Sequence, residues 1–206
     1  MNQKYSMTDT LIQRLEALIS PRILQQEIKM ELCVWAKLNK FRSGQSILRE
    51  GEICRGAHFL VKGLARSYYM SGDKQVTSRL MAEGFIITSW MSFLRQQPST
   101  EYIMALENCT TVYLSFDAIQ QLYDRYPQFN EVGRRQVENS FYGAEQRTQM
   151  MRGHTAEERY QQFCLIHPEL VNRVPYKYIA SYLGMTDVTL SRIRGRMKKG
   201  QFLNKC

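Results

Sequence analysis

Between Lys37 and Ser115 the chain is cut into short runs rich in β-branched and aromatic residues. The runs fall at 37–41, 46–49, 58–61, 65–70, 75–81, 102–106 and 110–114. Glycine turns separate many of them: Ser43-Gly44, Glu50-Gly51-Glu52, Lys62-Gly63, Ser71-Gly72-Asp73 and Glu83-Gly84. Short strands recurring every roughly 8–12 residues indicate an antiparallel sandwich or barrel. Ser71-Gly72-Asp73-Lys74 lies between two such runs and predicts a hairpin turn.

Helical patterns flank this region. Residues 8–19 repeat Leu11, Ile12, Leu15, Leu18 and Ile19 at helical spacing, with Thr8 or Asp9 as cap. Ser20-Pro21 ends that helix and starts another, whose Leu24, Ile28 and Leu32 share one face. A helix follows over 116–126, capped by Ser115 or Asp117 and broken by Pro127. The next, over 128–152, carries Val137, Phe141, Ala144, Thr148 and Met151 at steps of 4, 3, 4 and 3. That is a heptad seam, and it points to two helices packing side by side. A single helix lying on its own domain is the competing reading.

Composition bounds the answer. The 206 residues fit one or two domains, with hydrophobic and charged fractions of 44% and 23%. No run of about 18 apolar residues exists to span a membrane. The N-terminal residues lead into an amphipathic pattern and not an apolar signal core, so a cytoplasmic protein is expected. The five cysteines are odd in number and widely spaced, without a CxxC pair, which predicts reduced thiols. His58, His154 and His167 are isolated, so no metal site is expected. There is no Gly-rich phosphate loop, nucleophile elbow or paired His/acid constellation, so no enzyme is expected.

The net charge is +9, and its location is informative. From Pro175 onward there are seven cations, Lys177, Arg192, Arg194, Arg196, Lys198, Lys199 and Lys205, against one acid, Asp187. The same segment reads as a helix-turn-helix. Thr155 and Glu158 form a capping box that opens a preceding helix. Ile179, Ala180 and Leu183 then make an apolar face, Gly184 supplies the turn, and Thr186 caps a second helix anchored by Leu190 and Ile193. Between the anchors, Asp187, Val188, Thr189, Ser191 and Arg192 point outward, followed by Arg194, Arg196, Lys198 and Lys199. Such a helix fits a DNA major groove, first turns at the base edges and cationic tail near phosphates. Arg192 is the candidate for a bidentate guanine contact, and Thr186 with the helix N-terminus favours a phosphate.

These residues together resemble the bacterial cyclic-AMP-receptor and fumarate–nitrate-regulator (Crp-Fnr) family. The resemblance is carried by Phe41 to Glu52, Phe59-Leu60-Val61-Lys62-Gly63, the helix 128–152, Thr155 to Tyr160, Tyr178 to Gly184 and Thr189 to Arg194. It implies an α+β fold in three parts. Residues 1–127 would be a double-stranded β-helix (jelly-roll) sensor domain, 128–152 a dimerisation helix, and 153–206 a winged helix-turn-helix. It further implies a homodimer on a palindromic operator, contact with RNA polymerase, and a base-reading role for Arg192. Asp187 and Val188 stand where the best-known member has an Arg-Glu pair, so a different operator is expected.

The ligand cassette departs from the family. Cyclic-nucleotide binders carry a Gly-Glu for the ribose and an Arg-Ser/Thr-Ala for the phosphate. Here the stretches read Phe85-Ile86-Ile87-Thr88-Ser89-Trp90 and Pro98-Ser99-Thr100-Glu101-Tyr102, with no Arg or Lys between Gln96 and Asn108. A phosphate buried without a cation loses hydration and gains no ionic partner. Cyclic AMP is therefore not expected as the effector. Thr88, Ser89, Trp90, Thr100 and Tyr102 mark either a pocket for another small molecule or packed core. A full wing also lacks room after Lys199; at most one short strand over 201–203 fits. The leading function is an effector-controlled DNA-binding transcription regulator. The alternative is a ligand-sensing module that acts on a protein partner without binding DNA.

Overall fold

The structure, a computed structural model, describes residues 2–18 and 25–198. The chain forms two compact units, residues 1–69 with 79–140 and residues 70–78 with 141–206. The division falls inside one long helix.

The first unit is built on two four-stranded sheets. One orders β1 (Lys37–Phe41), β8 (Cys109–Ser115), β3 (Gly56–Lys62) and β6 (Ile86–Ile87). The other orders β2 (Ser46–Leu48), β7 (Tyr102–Ala105), β4 (Ala65–Ser71) and β5 (Lys74–Met81). This interleaving, with the antiparallel pairings between neighbours, is a jelly roll. The fold is α+β, as the strand pattern and resemblance predict. Strand ends shift from the expected runs by a residue or two, the ordinary uncertainty of boundaries.

Alternation places side chains. On β7, Ile103 and Ala105 are buried while Tyr102 and Met104 are half-buried. Phe59, Leu60, Val112 and Leu114 make the same core from β3 and β8. Helices close it: α1 (Asn2–Leu18) contributes Leu11, Ile12 and Leu15, and α2 (Gln26–Trp35) contributes Ile28 and Leu32, four residues apart. Each fully buried leucine or isoleucine adds roughly 1.5–3 kcal/mol. The expected cap at Ser20-Pro21, with Ile19 and Leu24, lies outside the described residues. At Gly63 the chain turns with φ +109°, and a Cβ there would sit 2.7 Å from the Asn108 carbonyl oxygen. Only glycine fits that conformation and that approach.

Two short elements escape the sequence pattern: β6 and α3 (Trp90–Arg95). Two strand residues and six helical ones show no usable period. Helix α4 (Phe116–Arg125) is capped by Ser115, whose hydroxyl accepts from Ala118 N–H. Pro127–Phe129 forms a 3-10 turn, and the long helix α5 runs Asn130–Gly153.

In the second unit, α6 (Ala156–Ile166) carries the expected capping box between Thr155 and Glu158. Its Tyr160 and Phe163 pack with Leu170, Val174, Ile179, Ala180, Leu183, Leu190 and Ile193, all buried. The last five come from α7 (Tyr176–Tyr182), the turn after it, and α8 (Asp187–Lys198). The short strand expected over 201–203 lies outside the described residues.

Candidate nucleic-acid interface and sensor region

The α7–turn–α8 geometry follows from Gly184. It adopts φ +63°, its N–H donates to Ser181 C=O, and Met185 N–H donates to Ala180 C=O. These two bonds are a Schellman motif that ends α7 and frees the chain to turn. The Thr186 hydroxyl then accepts from Thr189 N–H at 3.2 Å, capping α8. Leu190 and Ile193 pin one face of α8, with 0% and 1% exposure.

The opposite face is open. Asp187, Val188, Ser191 and Arg192 are exposed, and Thr189 is half-buried with its hydroxyl 2.9 Å from that of Thr186. The cationic tail is partly engaged. The Arg194 guanidinium lies 3.6 Å over the Tyr176 ring, and Arg196 pairs with Glu157 at 3.1 Å. Lys198 ends α8, and Lys199 lies outside the described residues. Thus Arg192 stands on the free face, while Arg194 is pre-positioned by an aromatic platform.

A contact the sequence does not announce joins α7 to the start of β5 within the second unit. Ser181 Oγ accepts from Thr77 N–H at 2.9 Å and donates to Gln75 C=O at 3.1 Å. Arg147 of α5 donates to Tyr182 C=O at 2.9 Å and Thr77 C=O at 3.2 Å, and its guanidinium lies 4.7 Å over the Tyr182 ring. Sequence reasoning missed Arg147 because an exposed-looking helix arginine carries no local signal.

The expected seam on α5 divides. Val137, Phe141 and Ala144 are exposed, with Phe141 at 70% and its neighbour Tyr142 at 65%. Val132 is the only buried residue of α5. Thr148 donates its hydroxyl to Ala144 C=O on its own helix. Met151 packs inward: a Cβ at Gly184 would meet its terminal methyl at 2.3 Å. The apolar stripe left open is therefore Val137, Phe141 and Ala144.

The five candidate effector residues are not gathered on one surface. Thr88 and Trp90 line a cavity. Ser89 is buried and accepts from the Ser99 hydroxyl at 3.1 Å. Thr100 is exposed. Tyr102 stacks on Tyr68, its ring 5.0 Å away, and its hydroxyl interacts with Glu50, which raises its pKa. Strand alternation explains the separation, since Ile103 takes the buried side of β7 and Tyr102 the other.

The sandwich does hold a cation near this cassette, from an unexpected strand. Arg79 of β5 donates to Ser67 Oγ at 3.0 Å, Thr88 C=O at 2.6 Å and Glu101 Oε1 at 3.0 Å. It ties the two sheets together and is neutralised by the carboxylate. Arg66 of β4 is buried to 1% exposure, its guanidinium 4.2 Å over the Tyr68 ring. Deep in the same unit, His58 Nδ1 lies 3.0 Å from Thr111 Oγ1, between the Phe41 and Tyr113 rings. Burial lowers its pKa to about 4.

Comparison with known proteins agrees with this architecture. The cyclic nucleotide-binding domain family matches residues 38–126. The fumarate and nitrate reduction regulatory protein of Yersinia pestis is 25% identical over 176 residues, 79% of this chain and 69% of that protein. Among solved structures, FixK2 from Bradyrhizobium japonicum superposes with a TM-score of 0.71 at 18% identity, covering 82% of this chain and 88% of that one. A CooA variant from Carboxydothermus hydrogenoformans gives 0.68 at 16%, covering 88% and 84%. The strand region therefore matches the cyclic nucleotide-binding domain family, and the chain as a whole has the fold of FixK2 and CooA and is similar to the fumarate and nitrate reduction regulatory protein, a Crp-Fnr regulator.

Proposed function

We propose that this chain acts as a homodimeric, sequence-specific DNA-binding regulator, controlled by a small effector other than cyclic AMP. One observation carries the DNA reading. Asp187, Ser191 and Arg192, with Val188 among them, form an exposed and mostly polar face on a helix whose other face is locked by Leu190 and Ile193. A capped, rigidly anchored helix with an arginine at its second turn suits direct readout of a major groove. The open stripe Val137, Phe141 and Ala144 supports self-association through α5. Two copies on a palindromic operator would present their α8 helices about 34 Å apart. The similarity to a fumarate and nitrate reduction regulatory protein supports RNA polymerase as a further partner.

Selection of bound sites from random double-stranded DNA tests this reading. A two-fold symmetric consensus, with half-sites about one helical turn apart, is the expected result. Failure to enrich any sequence contradicts it.

A further inference from the structure

The first unit contains a cavity of about 860 Å³, distinct from the Arg79–Glu101 cluster. Its floor includes Phe59 of β3 and Val112 and Leu114 of β8. Its walls include Leu11 and Leu15 of α1, Phe93 of α3 and Ile119 of α4. The volume lies in the range of roughly 300–1,000 Å³ that suits a drug-sized ligand.

The rim carries two charged residues, Glu131 and Arg134, and they neutralise each other at 3.8 Å. Arg134 also pairs with Glu138 at 2.6 Å, and Arg135 with Glu131 at 3.5 Å. An ionic ligand would therefore find no uncompensated counter-charge there, and its desolvation would be unpaid. A few uncharged polar residues join the apolar walls, among them Gln120, Tyr123 and Gln136. The Tyr123 hydroxyl sits against Gly133, where a Cβ would approach it to 2.1 Å, and Tyr123 lines the cavity. Burial raises the Tyr123 pKa, which keeps it a neutral donor. Val137 lines the cavity and also begins the exposed stripe of α5.

We propose that this cavity binds an uncharged, predominantly apolar small molecule with a few hydrogen-bonding groups, held between the β-sheet and the helices that cover it. The proposal deepens the effector reading: it assigns the ligand class and a site beneath the helices that cover β3 and β8. A ligand touching Val137 reaches the helix proposed for self-association, which gives it a direct route to the dimer.

The test uses the full-length protein and the neutral fluorophore N-phenyl-1-naphthylamine, titrated without DNA. Saturable binding at one probe per chain is expected, with energy transfer from Trp90, which lines the cavity. Two variants probe the site at residues that are not deeply buried: Leu94→Arg places a charge on the rim, and Gln120→Trp fills space. Each should weaken the probe by at least about tenfold, while Thr100→Arg, outside the cavity, leaves it unchanged. Unsaturable binding, or affinity within about twofold of the parent in either cavity variant, would overturn the proposal. The same variants are assayed on DNA in parallel. Loss of probe binding with DNA binding intact and loss of DNA binding with probe binding intact identify which reading has failed.

Discussion

Arg79 and Glu101 meet inside the β-sandwich, guanidinium nitrogen 3.0 Å from carboxylate oxygen. Arg79 also holds Ser67 and the Thr88 carbonyl, so both residues are committed to the fold. A cyclic phosphate entering here would meet a cation already neutralised and a carboxylate that repels it. Calorimetric titration with cyclic AMP or cyclic GMP is expected to give no saturable heat. Micromolar binding would contradict this account of the cassette.

Ser181 is the second committed residue. Replacing it with Ala removes one bond accepted from Thr77 and one donated to Gln75. Each such bond contributes about 1 kcal/mol net. Ser181→Ala should therefore speed exchange of the Thr77 amide by roughly tenfold or more in hydrogen-exchange measurements, with the α8 core amides unchanged. Equal protection in both proteins would mean the turn is held by other contacts.

Phe141 is 70% exposed on α5 beside Tyr142 at 65%. A side chain of that size costs little to change in an isolated chain, but a charge in a helix seam is costly. Phe141→Asp is expected to sediment as a monomer with unchanged helix content. A persisting dimer would assign the interface elsewhere.

Much of this molecule was legible in its sequence, for physical reasons that can be named. Gly184, Thr186, Leu190 and Ile193 announce the helix-turn-helix because each has a local steric or hydrogen-bonding task. The alternating runs announce the strands of the sandwich. What stayed hidden depends on distance in sequence. Arg79 reaches Glu101 across 22 residues, and Ser181 reaches Gln75 across 106. Met151 has seam spacing and also lies against Gly184, a neighbour 33 residues away that periodicity does not announce. Thr88 and Tyr102 were grouped through a family cassette, yet strand alternation sends them to different surroundings.

His58 sets a pH dependence. Its folded pKa is lowered to about 4, by burial, from an ordinary value of 6.5. Between these values the unfolded chain binds the extra proton and the folded chain does not. Stability therefore rises with pH through this window, is complete above about 6.5, and is lost progressively toward 4. The loss is on the order of 3 kcal/mol. Burial lowers His167 in the same direction, so a comparison isolates the effect. Urea midpoints measured from pH 7 to 4 should fall less steeply in His58→Gln than in the parent protein. Parallel curves would remove His58 as the cause.

The central claim is that the exposed face of α8 reads DNA, and Arg192 tests it most directly. Binding isotherms are measured for the parent and Arg192→Ala on a selected operator and on random DNA, over a range of salt concentrations. The account predicts steep weakening with salt for both proteins, because cations displace counterions from phosphates. It predicts that Arg192→Ala costs roughly 1–3 kcal/mol on the operator and little on random DNA. Salt-independent binding, or an equal loss on both DNAs, would contradict a base-reading helix.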